Sequence, residues 1–267
     1  MIEAALASGA AIDAPVAVVV AHPDDETLGL GSRLARLRDL KLIHLTDGAP
    51  RDMRDAQREG FVDRDAYART RARELERALH ALHAEPRERI RYGCVDQEAA
   101  ESLPDVVQRL CDDLADTRVV ITHAYEHGHP DHDTCALAVH AVCALLRRAR
   151  GEAPQIVEFP SYHLRDGAWV AGEFWADAER PERTALLGLR ERHDKARAIA
   201  CFHTQRETLS AFPLDRERYR TAPAYDFSQP APPRNAFYDA LGWRINAARW
   251  RQYATDALCG FGLTGAL

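Results

Sequence analysis

Short apolar runs rich in β-branched residues alternate with amphipathic segments from residue 16 to residue 159. The run at 16–21 is typical of a strand that is buried on both faces of a parallel sheet, and the leucine spacing at 27–40 predicts a helix. The pattern repeats and predicts strands at 41–46, 89–92, 118–122 and 155–159, with helices at 65–83, 103–114 and 134–148. Five strands with helical crossovers indicate an α/β fold, namely a Rossmann-like, doubly wound, mostly parallel sheet with helices on both faces.

We expect one domain, 1–267, with a core at about 14–205 and a C-terminal extension at about 206–267. A hydrophobic content of 46% is enough for a buried core, although length alone would also allow two small domains. After residue 159 the alternation weakens, and the pattern predicts helices at 184–201 and 237–258 with a proline-rich stretch at 221–233. The charged, aperiodic segment 47–63 predicts a long surface loop, which is either solvated surface or a lid.

The charge balance argues against nucleic acid and anionic membranes as partners. The chain has 35 basic and 41 acidic residues, so no basic footprint is present. No apolar run approaches the ~18 residues of a membrane span, and Glu3 stands where a signal peptide would carry a basic residue. The six cysteines form no C-x-x-C pair, which argues against a disulfide framework and a cysteine-rich zinc site. We expect a cytoplasmic protein with a small-molecule partner, and a homo-oligomer stays open.

The first predicted strand ends in an acidic turn with the sequence Ala-His-Pro-Asp-Asp-Glu at 21–26. One interpretation is helix capping, because an Asp before a first turn binds free N–H groups and favours the helix dipole by about 0.3 to 1 kcal/mol. A single Asp would be enough for that task. The pair Asp24 and Asp25 beside His22 therefore indicates a functional site.

The fourth predicted strand ends in the segment 123–133, which holds four of the twelve histidines. Taken singly, His123 and His127 are more typical of structural residues than of ligands. Pro130 favours an extended conformation at His129 and starts the next helix, so that His132 falls in its first turn. The rings of His129 and His132 can then face one crevice.

Topology links the two motifs, because the first and fourth strands of a doubly wound sheet are neighbours at the switch point where ligands bind. A histidine, a carboxylate and a second histidine, with one position left for water, form a standard hydrolytic zinc site.

A dinucleotide site is excluded, since the turn is acidic and the third small residue of the Gly29-x-Gly31 pattern would fall at Leu34. The lack of a G-x-S-x-G elbow excludes a serine hydrolase.

The two motifs together resemble the signature of the PIG-L (LmbE-like) family of zinc-dependent N-acetylglucosaminyl deacetylases. The segments that carry this resemblance are His22-Pro23-Asp24-Asp25 and His129-Pro130-Asp131-His132. The resemblance extends over about residues 14–160, with weaker support from Arg71-x-x-Glu74, Asp96, Lys195 and Gln205. The C-terminal fifth of the chain matches no feature of the family.

The resemblance implies a role for each residue of the two motifs. One Zn²⁺ per chain would be held by His22, Asp25 and His132, Asp24 would be general base and then acid, and His129 would stabilise the oxyanion with Asp131 behind it. The chemistry agrees with these roles, since a carboxylate beside a bound metal can take a proton from water whose pKa the metal lowers to about 7. A ring kept oriented and charged by a carboxylate can meet negative charge on the carbonyl oxygen.

The resemblance also implies residues that contact substrate. Arg71 and Asp96 would hold the sugar's hydroxyls or attached group, although an exposed Arg-x-x-Glu on a helix is often only an ion pair. Some family members have an oxyanion-binding tyrosine two places before His129, where this chain has His127. Either His127 takes that role or Tyr125 reaches in.

The implied activity is hydrolysis of an N-acyl group, in particular N-acetyl, from an amino sugar or glycoconjugate. A zinc amidase that acts on a non-sugar or conjugated amide is the alternative, because the metal site recognises only the scissile carbonyl. A metal-binding homologue without catalysis is disfavoured, since Asp24 and His129 are both present.

Overall fold

The computed structural model describes residues 2–176, 181–231 and 235–267. The strands in these ranges are β1 (Ile12–Val20), β2 (Leu37–Pro50), β3 (Glu88–Asp96), β4 (Val119–His123), β5 (Gln155–Phe159), β6 (Tyr162–Arg165), β7 (Ala168–Ala171), β8 (Arg183–Leu186) and β9 (Arg216–Thr221). The α-helices are α1 (Ile2–Ser8), α2 (Asp25–Leu30), α3 (Arg54–Arg58), α4 (Arg64–Ala81), α5 (Leu103–Asp113), α6 (Pro130–Arg150), α7 (Leu189–Ile199), α8 (Arg206–Leu209), α9 (Phe237–Ala240) and α10 (Ala247–Gly260). None of these described helices has the length and apolar composition that a membrane span needs.

Seven strands form one sheet in the order β3-β2-β1-β4-β5-β9-β8. The first five pair in parallel, and β9 and β8 extend the sheet as antiparallel strands. The predicted doubly wound, mostly parallel α/β architecture is therefore confirmed. The helix predicted at 184–201 is present but shorter, as α7 at Leu189–Ile199. Its predicted start is wrong, because Arg183–Leu186 form an edge strand whose hydrogen-bond partner, β9, lies about thirty residues farther along the chain.

Helices cover both faces of the sheet, as predicted. One hydrophobic cluster joins Val19 to α5, α6 and α10, and a second joins Val18 to α1, α2, α4 and α7. Neighbouring residues of β1 thus belong to opposite clusters, because side chains alternate along a strand. Burial on both faces explains why the run at 16–21 is continuously apolar.

The chain turns sharply after β1, and the helix predicted at 27–40 is shorter than expected. α2 ends at Leu30, a 3-10 turn follows at Leu34–Arg36, and β2 begins at Leu37. Leu37 and Leu40 therefore lie in the strand, although their spacing from Leu34 also fits a helix. The surface loop predicted at 47–63 is also only partly correct, since β2 continues to Pro50 and α3 occupies Arg54–Arg58.

The C-terminal extension adds a helix to the face that α5 and α6 cover. The helix predicted at 237–258 is divided into α9 and α10, with Gly242 at a positive φ of 65° between them. Trp250 of α10 is fully buried, and its Nε1 donates to the hydroxyl of Thr134 in α6 at 3.0 Å. Residues 232–234 of the predicted proline-rich stretch lie outside the described residues.

Gly29 lets α2 lie directly on the end of β5, because a Cβ atom at this position would collide with the buried ring of Phe159. We expect Gly29→Ala to lower the free energy of unfolding by about 1–3 kcal/mol through overpacking, measured by urea denaturation. Gly260→Ala is the matched control, since nothing lies within 4 Å of that position and Ala is favoured there by about 0.5–1 kcal/mol. Equal stability of the two variants would contradict this packing.

Candidate metal centre and its cleft

The carboxyl ends of β1, β3 and β4 meet at one cleft. β1 and β4 pair directly, so the turn after β1 faces the loop between β4 and α6. The cavity has a volume of about 310 Å³, and its inner surface includes His22, Asp25, Asp96, His129 and His132. The sheet therefore brings the two sequence motifs together, as the switch-point argument predicts.

Three side chains point donor atoms at a common position. His22 Nδ1 lies 3.2 Å from His132 Nε2 and 3.2 Å from one carboxylate oxygen of Asp25, whose other oxygen lies 3.3 Å from His132 Nε2. The ligand atoms of a tetrahedral zinc ion, with bonds of about 2.0–2.1 Å, are about 3.3–3.4 Å apart. The donor set and its spacing therefore fit a zinc ion.

The backbone around each motif accounts for this convergence. Asp25 accepts a hydrogen bond from the backbone N–H of His22 at 2.7 Å, which turns its carboxylate back toward the histidine. His129 is extended, with φ −141° and ψ 139°, and Pro130 begins α6 immediately after it. The predicted effect of Pro130 is confirmed, and α6 starts four residues earlier than the helix predicted at 134–148.

Two carboxylates lie behind His22. Asp96 Oδ1 is 3.1 Å from His22 Nε2, and Asp131 Oδ2 is 3.5 Å from the same nitrogen. A histidine that binds metal through one nitrogen commonly donates from the other to a carboxylate, which fixes its orientation. Asp96 also lines the cavity, and its Oδ1 is 3.5 Å from His129 Nε2. It therefore orients His22, and its expected contact with sugar hydroxyls stays a prediction.

The expected arrangement of His129 and Asp131 needs correction. The two oxygens of Asp131 accept from the backbone N–H groups of Gln97, at 2.6 Å, and Ala99, at 3.1 Å, and the nearer one is 3.9 Å from His129 Nδ1. The ring of His129 is instead oriented by the backbone N–H of Asp131, which donates to Nδ1 at 3.1 Å. A neutral His129 must therefore carry its proton on Nε2.

The same geometry bears on the charge of His129. Burial and the neighbouring His22 hold the pKa of His129 well below its ordinary value, so the ring is neutral near pH 7. The expectation that Asp131 keeps His129 charged is therefore wrong, because its carboxylate is engaged elsewhere. His129 remains a hydrogen-bond donor through Nε2.

Asp24 is held by Arg71 and does not cap α2. Its carboxylate accepts no capping bond from the helix, and one oxygen lies 2.7 Å from Arg71 Nη2. Arg71 also donates to the carbonyl of Gly48 at 2.6 Å and lines the cavity, so its expected contact with sugar hydroxyls stays a prediction. Nor does Arg71 pair with Glu74, which accepts from the backbone and hydroxyl of Thr204 at 3.1 and 2.6 Å.

Opposing effects set the ionisation of the first motif. Burial raises the pKa of Asp24 to about 8, and the guanidinium of Arg71 acts against this rise. Burial also opposes ionisation of Asp25, yet the imidazoles of His132 and His123 hold its pKa well below the ordinary value. For His22, burial alone would lower the pKa, but the carboxylates of Asp96 and Asp25 raise it well above the ordinary value. The cluster therefore attracts positive charge.

His127 and Tyr125 do not reach the cleft, so the expected substrate contact of either residue is not found. The His127 ring is fully buried, with Nδ1 2.9 Å from Asp133, and Nε2 accepts from the backbone of Ala231 at 3.0 Å. The Tyr125 hydroxyl donates to the carbonyl of Gln229 at 2.9 Å. Both residues tie the histidine-rich loop to the C-terminal segment.

Three residues of the site had no clear signal in the sequence. His123 stacks on His132 with centroids 4.1 Å apart, and its Nδ1 is 2.7 Å from the hydroxyl of Ser161. Tyr162 follows β5, and its ring centroid lies 5.3 Å from that of His132. The Tyr162 carbonyl oxygen lies so close to Gly128 that a Cβ atom there would collide with it. Trp243 lies 4.8 Å from the His129 ring. Weak signals were present for His123, which belongs to the histidine-rich segment 123–133, and for Tyr162, which follows a strand beside β4.

Within the described ranges, several overlapping groups of donor atoms could hold a cation. The groups with atoms within 4.8 Å of one another are His22, His129 and His132; His22, Asp96, His129 and Asp131; and Asp25, His123 and His132. The three expected ligands are divided between these groups. All of these side chains are buried. The groups share residues, so they mark one cation-binding region.

Comparison with known proteins identifies relatives of this chain. Residues 17–143 match the family described as PIG-L: GlcNAc-PI de-N-acetylase, so the resemblance seen in the two motifs is confirmed. The chain is 26% identical to the probable N-acetyl-alpha-D-glucosaminyl L-malate deacetylase 2 of Bacillus subtilis, over 53% of this chain and 65% of that protein. It is 29% identical to the 1D-myo-inositol 2-acetamido-2-deoxy-alpha-D-glucopyranoside deacetylase of Corynebacterium jeikeium, over 51% of this chain and 52% of that protein. The chain thus matches between half and two thirds of the length of these relatives.

Solved structures share the fold at low identity. The zinc-inhibited form of teicoplanin deacetylase superposes with a TM-score of 0.55 at 13% identity, covering 77% of this chain and 97% of that one. The A40926 pseudoaglycone deacetylase gives a TM-score of 0.58 at 17% identity, with 79% and 97% covered. A 4-carboxy-2-hydroxymuconate hydratase gives 0.50 at 18% identity, with 74% and 82% covered. The fold alone therefore does not define the reaction, which must be argued from the site.

The position of His127 predicts a structural phenotype. His127→Ala would leave the buried carboxylate of Asp133 without its imidazole partner, so we expect a loss of about 1–3 kcal/mol in the free energy of unfolding. The metal content of the purified variant should match that of the unaltered protein. His193→Ala is the control, since that side chain is 67% exposed and its loss should change stability by less than about 0.5 kcal/mol. Loss of metal without loss of stability in His127→Ala would contradict this placement.

Proposed function

We propose that this chain, whose residues 17–143 match the PIG-L family, is a metal-dependent hydrolase that removes an N-acyl group, in particular N-acetyl, from an amino sugar or glycoconjugate. The observation that carries the proposal is the convergence of His22, Asp25 and His132 beside Asp24 and His129 in one cavity. The curated relatives, which are named as deacetylases of N-acetylglucosaminyl compounds, support the substrate class.

We assign the cation to His22 Nδ1, Asp25 and His132 Nε2. This choice leaves His22 Nε2 with its carboxylate partner Asp96, whereas a cation held through Nε2 would displace that contact. Two imidazoles and a carboxylate suit Zn²⁺, and a bound zinc ion lowers the pKa of water and polarises a carbonyl group. One ion per chain is sufficient for this chemistry.

Asp24 is the proposed general base. It is next to Asp25 in the chain and lines the same cavity, so its carboxylate can take a proton from the attacking water and return it to the leaving amine. Arg71, 2.7 Å away, holds the carboxylate in place and acts against the effect of burial, and a cation held by the neighbouring Asp25 would favour the ionised form further. Arg71 is thus a positioning residue for Asp24.

His129 is the proposed donor to the carbonyl oxygen. Its Nδ1 is engaged by the backbone of Asp131, which leaves the proton on Nε2. A preoriented donor of this kind stabilises charge that develops on an oxygen, and its removal costs about 10²- to 10³-fold in kcat in comparable sites. The neutral ring performs this task without an ion pair.

The first test is hydrolysis itself. We expect the purified protein to release acetate and a free amine from N-acetylglucosamine or its glycosides, with oxygen from labelled water entering the acetate. A chelator should abolish the activity and Zn²⁺ should restore it, and His132→Ala should lack the metal while the exposed His193→Ala keeps it. Activity on metal-free protein, an acyl-enzyme seen by mass spectrometry, or cleavage only of non-sugar amides would overturn the proposal.

Asp24 and Asp25 form a matched pair of neighbours with different proposed tasks. Asp24→Asn should keep the metal and lower kcat by about 10²- to 10⁴-fold, because it removes the general base. Asp25→Asn should lose the metal, because it removes a charged ligand. Kinetics and metal analysis of the two purified variants distinguish these outcomes. Full activity of Asp24→Asn, or equal loss of metal in both variants, would refute the assignment of base and ligand.

A further inference from the structure

An aromatic collar surrounds the mouth of the cleft. We define it as the cavity-lining residues Tyr162, Trp169, Phe212, Phe237, Leu241 and Trp243. The ring centroids of Trp169 lie 5.7 Å from Tyr162 and 5.9 Å from Phe212, and those of Tyr162 and Phe237 are 6.0 Å apart. These rings form a connected apolar surface above the polar floor.

Separate parts of the chain build this collar. Trp169 lies on the hairpin formed by β6 and β7, Phe212 precedes β9, and Leu241 and Trp243 follow α9. Tyr162, Trp169 and Trp243 are half-buried, whereas the ligands proposed above are buried. The cleft therefore changes from charged at its floor to apolar at its mouth.

The cations of the cleft lining are already paired. Arg71 contacts Asp24, and Arg58 Nη2 lies 3.0 Å from Asp55. Asp55 and Asp96 add negative charge to the lining. Among the described lining residues, two arginines face four aspartates, Asp24, Asp25, Asp55 and Asp96, so the lining does not favour a carboxylate or phosphate on the substrate.

We infer that the substrate carries an uncharged apolar group, and an aromatic ring in particular, on its anomeric carbon, and that the collar binds this group. The inference rests on the proposed function. In a 2-amino sugar the amide and the anomeric substituent occupy neighbouring ring carbons. With the amide at the floor, the substituent extends toward the mouth, where flat aromatic side chains offer stacking surfaces.

The substrate arm of the test uses seven compounds. They are the methyl, phenyl and L-malyl glycosides of N-acetylglucosamine, each as α and β anomers, and the methyl glycoside of N-hexanoylglucosamine. We expect kcat/KM for phenyl to exceed methyl by about 10-fold, because burial and stacking of one ring contribute that much, and the malyl compound to be poorer than methyl. A malyl compound as good as the phenyl one, or a preference for the N-hexanoyl compound over the methyl and phenyl glycosides of N-acetylglucosamine, would overturn the inference.

The variant arm locates the preference in the collar. Trp169→Ala should reduce the phenyl-to-methyl ratio to about one, and Trp169→Phe should retain most of it, because a ring remains. Tyr253→Ala, on α10 in a separate groove, is the aromatic control and should leave the ratio unchanged. An unchanged ratio in Trp169→Ala would refute the role of the collar.

Different results would reject the aromatic preference and the deacetylase activity. Equal cleavage of methyl and phenyl glycosides would reject the aromatic preference and leave deacetylation intact. Metal-dependent cleavage of none of the seven compounds would reject the proposed function itself.

Discussion

The parallel pairing of β1 with β4 is the interaction on which the candidate metal centre depends. Val16 to Val19 pair with Val119 to Thr122. Residues separated by about a hundred positions thereby end at the same edge of the sheet, His22 from one strand and the loop carrying His129 and His132 from the other. The donor atoms can converge to within 3.2 to 3.3 Å because the buried strands leave no freedom in this register.

Charge balance explains much of the remaining site. Asp25, Asp96 and Asp131 are buried close together, and buried carboxylates need compensating charge. Without another cation, the raised pKa of His22 means that its ring carries the charge. Either a metal ion or a proton at His22 Nδ1 can therefore compensate the charge of the buried carboxylates, and the two compete for that nitrogen.

The sequence was most informative where one physical pattern acts locally. The first run of β-branched residues predicted β1, and Pro130 predicted the start of α6 beside His129. It was least informative where pairing with distant residues determines the secondary structure. β8 forms because it pairs with β9, and Leu37 and Leu40 have a helical spacing but lie in the sheet. The residues around the motifs show the same limit. The contacts of Arg71 with Asp24 and of Asp96 with His22 could not be predicted, because they depend on how the fold brings these residues together.

The buried ring of His127 links two parts of the protein that would otherwise be independent. Its Nδ1 faces Asp133 of α6, its Nε2 accepts from Ala231, and its carbonyl accepts from the backbone of Phe237 at 2.9 Å. The wall of the cleft formed by the C-terminal segment is therefore fastened to the loop that carries His129. When related proteins adapt to new substrates, side chains of this wall can therefore change only at positions other than those that bind His127. The backbone that presents them must stay where the histidine loop holds it.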